Sequence, residues 1–278
     1  MKKAVALLLT ATLATGLLVG CGGNKQEAQQ QEQPKLEVIT VGASTTPHAE
    51  ILTAAKDALA ADGYELKIVE FTDYVQPNLT LENGELDANY FQHQPYLDNF
   101  NAENNTNLVS AASIHYEPFG IYAGKSSDLA NIPEGATIAV PNDTSNEARA
   151  LLLLEAQGII TINPEAGINA TVQDITANPH NIKIMEVEAA VLARTLSDAD
   201  FAVINGNYAL AAGLNAATDA LAIEDKDSVG ASTYANIVAV RAGEENSEKT
   251  QALVKVLTSD TVKKFIEETY SGGVVPTF

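Results

Sequence analysis

Residues 136–158 read ATIAVPNDTSNEARALLLLEAQG, a segment with the pattern of a strand, a turn and a helix. The apolar run 136–140 predicts a buried strand, and Thr144 followed three residues later by Glu147 predicts a capping box on a helix that ends at Gly158. A helix start presents free backbone N–H groups and the positive end of the helix dipole, which together attract anions. In open α/β sheets, ligands collect at such strand–helix junctions.

Arg149 lies just inside this predicted helix and is one of only three arginines in the chain. Two interpretations follow from its position. It is either an exposed arginine in the first turn, which contributes little to stability, or a guanidinium that completes a carboxylate or phosphate site at the helix start. The residues alone leave both open.

Strand and helix patterns alternate along the rest of the chain from Leu36. Apolar alternation predicts strands at 36–43 and 64–71 around a helix over 47–63, and further strands at 181–188, 200–206 and 235–243 separated by helices. The segment 108–124 is predicted to be extended and bent at Pro118. About 240 residues are enough for one large or two smaller domains. The order indicates an α/β fold with mostly parallel strands.

The N-terminus has the pattern of a lipoprotein signal peptide. Lys2 and Lys3 precede an apolar run that stops at Cys21, the only cysteine, and residues 18–21 read LVGC, which resembles the bacterial lipobox. We therefore predict a signal peptide over 1–20, lipidation of Cys21, and a flexible Gln-rich tether over 21–35. The mature chain would be lipid-anchored on the extracytoplasmic face of a membrane rather than spanning it.

The charge and the absent motifs narrow the function. A formal net charge of −20 repels nucleic acid, so no nucleic-acid partner is expected. The sequence contains no nucleophile elbow, phosphate-binding loop or dinucleotide-binding glycine motif, which favours binding without catalysis and without a cofactor. A metal-binding lipoprotein that uses His48, His93 and His115 is an alternative. A surface adhesin without a small ligand is another.

An aromatic-rich segment, YFQHQPYLDNF, occupies residues 90–100, and Tyr74 precedes it. Aromatic side chains with one imidazole among them could line an apolar pocket that has a polar rim. They could equally form a small core cluster in which His93 is hydrogen-bonded. Pattern alone does not separate the two.

Six segments in order carry a family resemblance: 41–52 (VGASTTPHAEIL), 73–79 (DYVQPNL), 87–98 (DANYFQHQPYLD), 140–154 (VPNDTSNEARALLLL), 201–209 (FAVINGNYA) and 234–241 (YANIVAVR). Together with the lipobox they resemble the methionine-binding lipoproteins of bacterial ABC importers, the NlpA/MetQ family, from about Leu36 to the C-terminus. The resemblance implies a two-lobed, type II-like periplasmic-binding-protein fold, with a mixed, mostly parallel sheet in each lobe and two hinge strands. Such a protein closes on a free amino acid, here L-methionine with D-methionine as an alternative, and delivers it to a permease and ATPase complex.

The resemblance also implies roles for individual residues. Arg149 and Asn146 would hold the ligand carboxylate, and Asn205 and Asn236 would bind its amino and carboxylate groups. The ligand side chain would be surrounded by Tyr74, Phe91, His93 and Tyr96. Lobe one would comprise residues 36–118 plus 230–278 and lobe two residues 119–229, with hinges near Glu117–Pro118 and over 227–233.

Overall fold

Two β-sheets organise the protein in this computed structural model, which describes residues 35–225 and 233–278. In chain order the strands are β1 (Glu37–Ser44), β2 (Tyr64–Phe71), β3 (Ala88–His93), β4 (Leu108–Tyr116), β5 (Gly120–Ala123), β6 (Thr137–Pro141), β7 (Thr161–Ile162), β8 (Ile175–Ala177), β9 (Lys183–Val187), β10 (Phe201–Ile204), β11 (Ala222–Ile223), β12 (Asn236–Arg241) and β13 (Val275–Pro276). A six-stranded sheet has the order β13-β4-β12-β3-β1-β2, and a five-stranded sheet the order β11-β5-β10-β6-β9. Strands β7 and β8 form a separate two-stranded antiparallel sheet.

The helices cover the faces of these sheets. In chain order they are α1 (Glu50–Ala61), α2 (Gln76–Glu82), α3 (Gln94–Asn104), α4 (Thr144–Ala156), α5 (Leu192–Thr195), α6 (Gly206–Ala211), α7 (Ala216–Asp219), α8 (Glu248–Leu257) and α9 (Asp260–Tyr270). None of the helices in the described ranges is long and apolar enough to cross a membrane.

Both sheets are mixed, which confirms the α/β prediction, but parallel pairing is less extensive than the sequence pattern indicated. It is confined to β2-β1-β3 in one sheet and β10-β6-β9 in the other. Strand β12 is antiparallel to both β3 and β4, and β5 is antiparallel to β10. The chain leaves the first sheet through β4 and returns through β12, and a departing and a returning strand that lie side by side must run in opposite directions.

Each sheet has its own apolar core, so the protein consists of two lobes. In the first lobe, Val41 on β1 packs with Leu52 of α1 and Ile266 of α9. In the second lobe, Ile138 and Val140 on β6 pack with residues of α4 such as Leu151. Burial of this apolar surface is the main favourable term in folding.

The chain crosses between the lobes twice. The first crossing is the short link between β4 and β5, at residues 117–119, and the second runs from β11 to β12. Residues 226–232 of the second crossing lie outside the described residues, as do the predicted signal peptide and Cys21. The predicted lobe boundaries near 118 and 230 therefore stay a prediction.

The start of α4 differs from the expected capping box. Asp143 is the capping residue, since its Oδ1 accepts a hydrogen bond from the backbone N–H of Asn146 at 3.0 Å. Glu147 does not reach back to the helix start; its Oε1 accepts instead from the backbone N–H of Val172 at 3.0 Å. The capping-box prediction was wrong because a distant backbone donor bonds the glutamate, while Asp143, one residue earlier, supplies the cap.

Candidate functional site

A small cavity lies between the two lobes. The space between its walls, including the part open to solvent, is about 320 Å³. Both lobes and the first crossing contribute to its wall. The lining residues are Tyr74, Phe91, Gln92, His93, Tyr96, Glu117, Asn146, Asn205, Gly206, Asn207 and Asn236. Seven of the eight residues predicted to bind the ligand are among them, and Arg149 is the exception.

Aromatic rings form one side of the cavity. The ring centroid of Tyr74 lies 5.7 Å from that of Phe91 and 5.6 Å from that of Tyr96. Tyr96 donates a hydrogen bond from its hydroxyl to the backbone oxygen of Tyr74 at 3.1 Å, and the Tyr74 hydroxyl donates to Oδ1 of Asn207 in the other lobe. The two interpretations of this segment are therefore both correct in part, because the rings pack as a small cluster that also faces the cavity.

A chain of polar side chains links the lobes across the cavity. Oδ1 of Asn146 accepts from Nδ2 of Asn205 at 2.9 Å and lies 3.1 Å from Nε2 of His93. An amide oxygen only accepts, so His93 carries its proton on Nε2, and its Nδ1 accepts from the backbone N–H of Tyr96. Burial, and then the nearby charge of Arg149, lower the pKa of His93 to about 3, so this imidazole is neutral at pH 7.

Arg149 lies behind the cavity wall and is only 4% exposed, so its interpretation as a surface residue was wrong. Its Nε donates to Oε1 of Glu224 at 2.8 Å, and its Nη2 donates to Oε2 of Glu224 at 2.6 Å and to the backbone oxygen of Glu117 at 2.8 Å. Burial alone would lower the pKa of Arg149, but the charge of Glu224 outweighs it and the pKa is raised. The carboxylate that Arg149 holds in this structure therefore belongs to its own chain.

Glu117 is a cavity residue that the sequence indicated only as part of a hinge. Its Oε1 lies 2.8 Å from Nε2 of His115 and 3.5 Å from Nε2 of His48. Behind them, the Tyr90 hydroxyl hydrogen-bonds to Nδ1 of His115, and His48 Nε2 lies 3.0 Å from Oδ1 of Asn236. A charged residue between the apolar strands β4 and β5 was the available signal, since buried acids are rare unless paired.

The predicted metal set of His48, His93 and His115 is only partly brought together. The potential ligand atoms of His48, His115 and Glu117 lie within 4.8 Å of one another, and His93 is not in this group. The 2.8 Å separation between His115 Nε2 and Glu117 Oε1 is a hydrogen-bond distance. Within the described ranges, these three residues therefore form a buried cluster in which His115 is hydrogen-bonded to Glu117.

Two lobes, each with a mixed sheet, enclosing a cavity with polar and aromatic walls define the class of two-lobed periplasmic binding proteins. The sequence profile described as NlpA lipoprotein matches residues 39–278. The chain therefore belongs to the NlpA lipoprotein family.

Individual relatives agree with this assignment. Over 280 residues the chain is 41% identical to the methionine-binding lipoprotein MetQ of Bacillus subtilis (strain 168), with 99% of each chain covered. A nutrient-binding protein from Burkholderia cenocepacia, solved bound to methionine, is similar with 46% identity and a TM-score of 0.81 over 86% of this chain and 100% of that chain. A periplasmic substrate-binding protein of an ABC transporter from Coxiella burnetii has 41% identity and a TM-score of 0.81 over the same shares. The predicted two-lobed fold and family are confirmed.

Proposed function

We propose that this protein is a lipid-anchored, extracytoplasmic substrate-binding protein that captures free methionine and delivers it to an ABC importer. The observation that carries the proposal is the cavity between the two lobes, whose lining combines aromatic rings with side-chain amides. The names of the Bacillus subtilis, Burkholderia cenocepacia and Coxiella burnetii proteins support both the ligand and the importer. No catalytic step and no cofactor is part of the proposal.

The aromatic side of the cavity suits the methionine side chain. A thioether is flexible and polarizable, and it makes favourable contacts of ~0.3–1.5 kcal/mol with each aromatic ring. Tyr74, Phe91 and Tyr96 supply such rings, and His93 closes the same wall as a neutral imidazole.

The polar side suits the zwitterionic end of an amino acid, because burying charged groups without partners is costly. Asn207 and Asn236 engage Tyr74 and His48 through their Oδ1 atoms, and we assign their Nδ2 groups to the ligand carboxylate, beside Asn146 and Asn205. Arg149 stays a predicted carboxylate ligand. Since its Nε and Nη2 are engaged by Glu224 and Glu117, it would contact the carboxylate through Nη1.

We propose the membrane attachment and the partners from the family and from the names of the relatives. A lipoprotein of this family is held by acyl chains on its N-terminal cysteine, and we assign that role to Cys21. The permease and ATPase complex would receive L-methionine from the closed protein, with D-methionine as the alternative ligand.

Calorimetry with L-methionine tests the proposal, and native mass spectrometry of the purified protein identifies any bound ligand. We expect one tight site for methionine, and we expect Phe91→Ala and Tyr96→Ala each to weaken binding by ~1–4 kcal/mol because both truncate packed anchors. Ile168→Ala, at an exposed position, is the control and should bind like the parent. Binding heat with Zn²⁺, together with no binding heat for any amino acid, would contradict the proposal.

A further inference from the structure

Glu117 is a buried acid in the cavity wall, 5% exposed, without a cationic partner at its carboxylate among the described residues. Its carboxylate is contacted by His48, His115 and the backbone N–H of Asn207. The nearest guanidinium, Arg149, donates to the backbone oxygen of Glu117 and is already paired with Glu224. An ionised carboxylate that is buried without a cation is costly, which points to a cation supplied from outside the chain.

The two histidines are neutral donors rather than cations. Burial lowers the pKa of His48 to about 4 and that of His115 to about 3. Because Oδ1 of Asn236 only accepts, His48 carries its proton on Nε2, the atom that also faces Glu117. His115 donates from Nε2 to Glu117, and its Nδ1 then accepts from the Tyr90 hydroxyl. His115 therefore donates its N–H to Oε1, while the N–H of His48 is bonded to Asn236 and its Nε2 packs 3.5 Å from the same oxygen.

The other carboxylate oxygen is held against the second lobe. A Cβ atom added to Gly206 would lie 2.7 Å from Oε2 and 2.6 Å from Cβ of Glu117, so this contact depends on a glycine. The next residue, Asn207, donates its backbone N–H to the carboxylate. Glu117 is therefore fixed from both lobes.

A second hydrogen-bond acceptor in the cavity wall also indicates a cationic donor group on the ligand. Oδ1 of Asn205 is buried in the cavity wall and has no hydrogen-bond partner among the described residues. A primary ammonium group donates three hydrogen bonds and accepts none, which matches one charged and one neutral acceptor in the same wall. We propose that Glu117 and Asn205 Oδ1 form the receptor for the α-ammonium group of the ligand, and that His48 and His115, the latter held by Tyr90, position Glu117. This inference rests on the proposed function and adds a residue that determines specificity for α-amino acids.

The charge state of Glu117 makes this receptor sensitive to pH. Burial raises the pKa of Glu117, and the interactions of its carboxylate with His48, Arg149 and the backbone N–H of Asn207 partly oppose this. The ionised form binds an ammonium and the protonated form does not, so affinity falls as the pH falls through this pKa. The other titratable groups that act on the carboxylate stay in one form over this range, because the histidines are neutral, Arg149 is charged and burial raises the pKa of each tyrosine. These groups are His48, His115, Arg149, Tyr74, Tyr90, Tyr122 and Tyr270.

Calorimetry with a pair of ligands tests the receptor. L-methionine and 4-(methylthio)butanoate differ only in the amino group, and each is titrated into the parent, Glu117→Gln and the control Glu165→Gln, which lies on the surface. We expect Glu117→Gln to bind methionine roughly 30-fold or more weakly, the loss seen when one member of a buried charge pair is removed, and to bind the amino-free ligand within about threefold of the parent. Equal losses for both ligands, or no loss for methionine, would overturn the inference.

The pH profile is a second readout. The parent should lose methionine affinity on acidification, whereas its affinity for the amino-free ligand should not fall in parallel. His115→Phe, which removes an N–H donor from the carboxylate, should move the midpoint for methionine to higher pH. If Glu117→Gln does not fold, the pH profiles of the parent for the two ligands test the inference instead. Affinities that fall in parallel for methionine and for the amino-free ligand would contradict the proposed ammonium receptor. A parent that binds no amino acid at all would contradict the proposed function, whereas a parent that binds methionine with unaltered affinity in Glu117→Gln contradicts only this inference.

Discussion

Arg149 illustrates which contacts of a single residue can be predicted from the sequence and which cannot. Its position at a helix start left two interpretations open, an exposed arginine and a guanidinium that binds an anion, and in this structure it is buried and meets a carboxylate. The carboxylate, however, is Glu224, 75 residues further along the chain and next to the second crossing. Nothing in the local sequence connects the two residues, because their contact depends on the return path between the lobes. The same holds for Glu117 and His48, whose separation in sequence hides their contact.

Replacing Arg149 by alanine should destabilise the fold as well as binding. The change leaves Glu224 as a largely buried carboxylate without its cation, which typically costs about 3–5 kcal/mol. Urea unfolding measures the loss. The control is Lys255→Ala, which breaks the exposed ion pair with Asp62 and should cost no more than ~1 kcal/mol. An Arg149→Ala protein as stable as that control would show that the Arg149–Glu224 pair contributes little.

At the scale of secondary structure, long periodic segments were predicted well and short ones were not. The strand expected at 36–43 is observed at Glu37–Ser44, and the predicted helix at 47–63 contains α1, because alternation and the final glycine both act locally. The helix expected from residues 189–199 is reduced to a 3₁₀ turn and the short α5. Its last residues turn instead to begin β10, where the backbone N–H of Asp200 pairs with Thr137 of β6.

A buried amide cluster that joins α2 to β3 was invisible in the sequence, because isolated amides usually indicate surface. Nδ2 of Asn78 donates to Oε1 of Gln92 at 2.8 Å, and Nε2 of Gln92 returns a bond to Oδ1 of Asn78 at 2.7 Å. Asn89 donates to the same Oδ1 at 2.7 Å. Gln92 also lines the cavity, so this cluster ties α2 to the binding wall.

Asn78→Ala should therefore cost more than an ordinary asparagine change. It leaves Oε1 of Gln92 without its donor in the interior, at about 1–3 kcal/mol for an unpaired group, and removes one of two hydrogen bonds from each of Nε2 of Gln92 and Nδ2 of Asn89. Chemical denaturation gives the value, and Asn104→Ala, which removes a single bond to the backbone oxygen of Phe100, is the matched comparison. Equal effects of the two substitutions would mean that water or a rearrangement satisfies the cluster.

For the whole molecule, the cavity exists because both lobes meet around it. Tyr74 bonds to Asn207, His93 to Asn146, and the Tyr208 hydroxyl to the backbone oxygen of Thr72 at 3.2 Å. The family motifs predicted which residues converge, since the segments 87–98, 140–154 and 201–209 each carry cavity residues close to a strand end. They could not predict the direction of the returning strands or the proton positions in the cluster, which depend on contacts between distant segments.

Three buried histidines make the stability of the whole protein depend on pH. Burial lowers the pKa of His48 to about 4 and the pKa values of His93 and His115 to about 3, whereas an unfolded chain has histidine pKa values near ~6.5. The unfolded state therefore binds more protons between these values. The contribution of each histidine is complete above pH ~6.5 and is lost as the pH falls, by up to ~1.4 kcal/mol per pH unit for each.

Urea unfolding at pH 7 and pH 5 should show this loss, with Glu117, whose pKa is raised, acting in the opposite direction. His93→Gln removes one proton-binding group from the unfolded state while its amide can still donate to Asn146, so the dependence on pH should become flatter by about one proton. His180→Gln, outside the cavity and the buried cluster, is the control for removing a histidine. If stability does not fall between pH 7 and pH 5, or if His93→Gln leaves the slope unchanged, the buried histidines are protonated in the folded protein and the hydrogen-bond directions assigned around Glu117 are wrong.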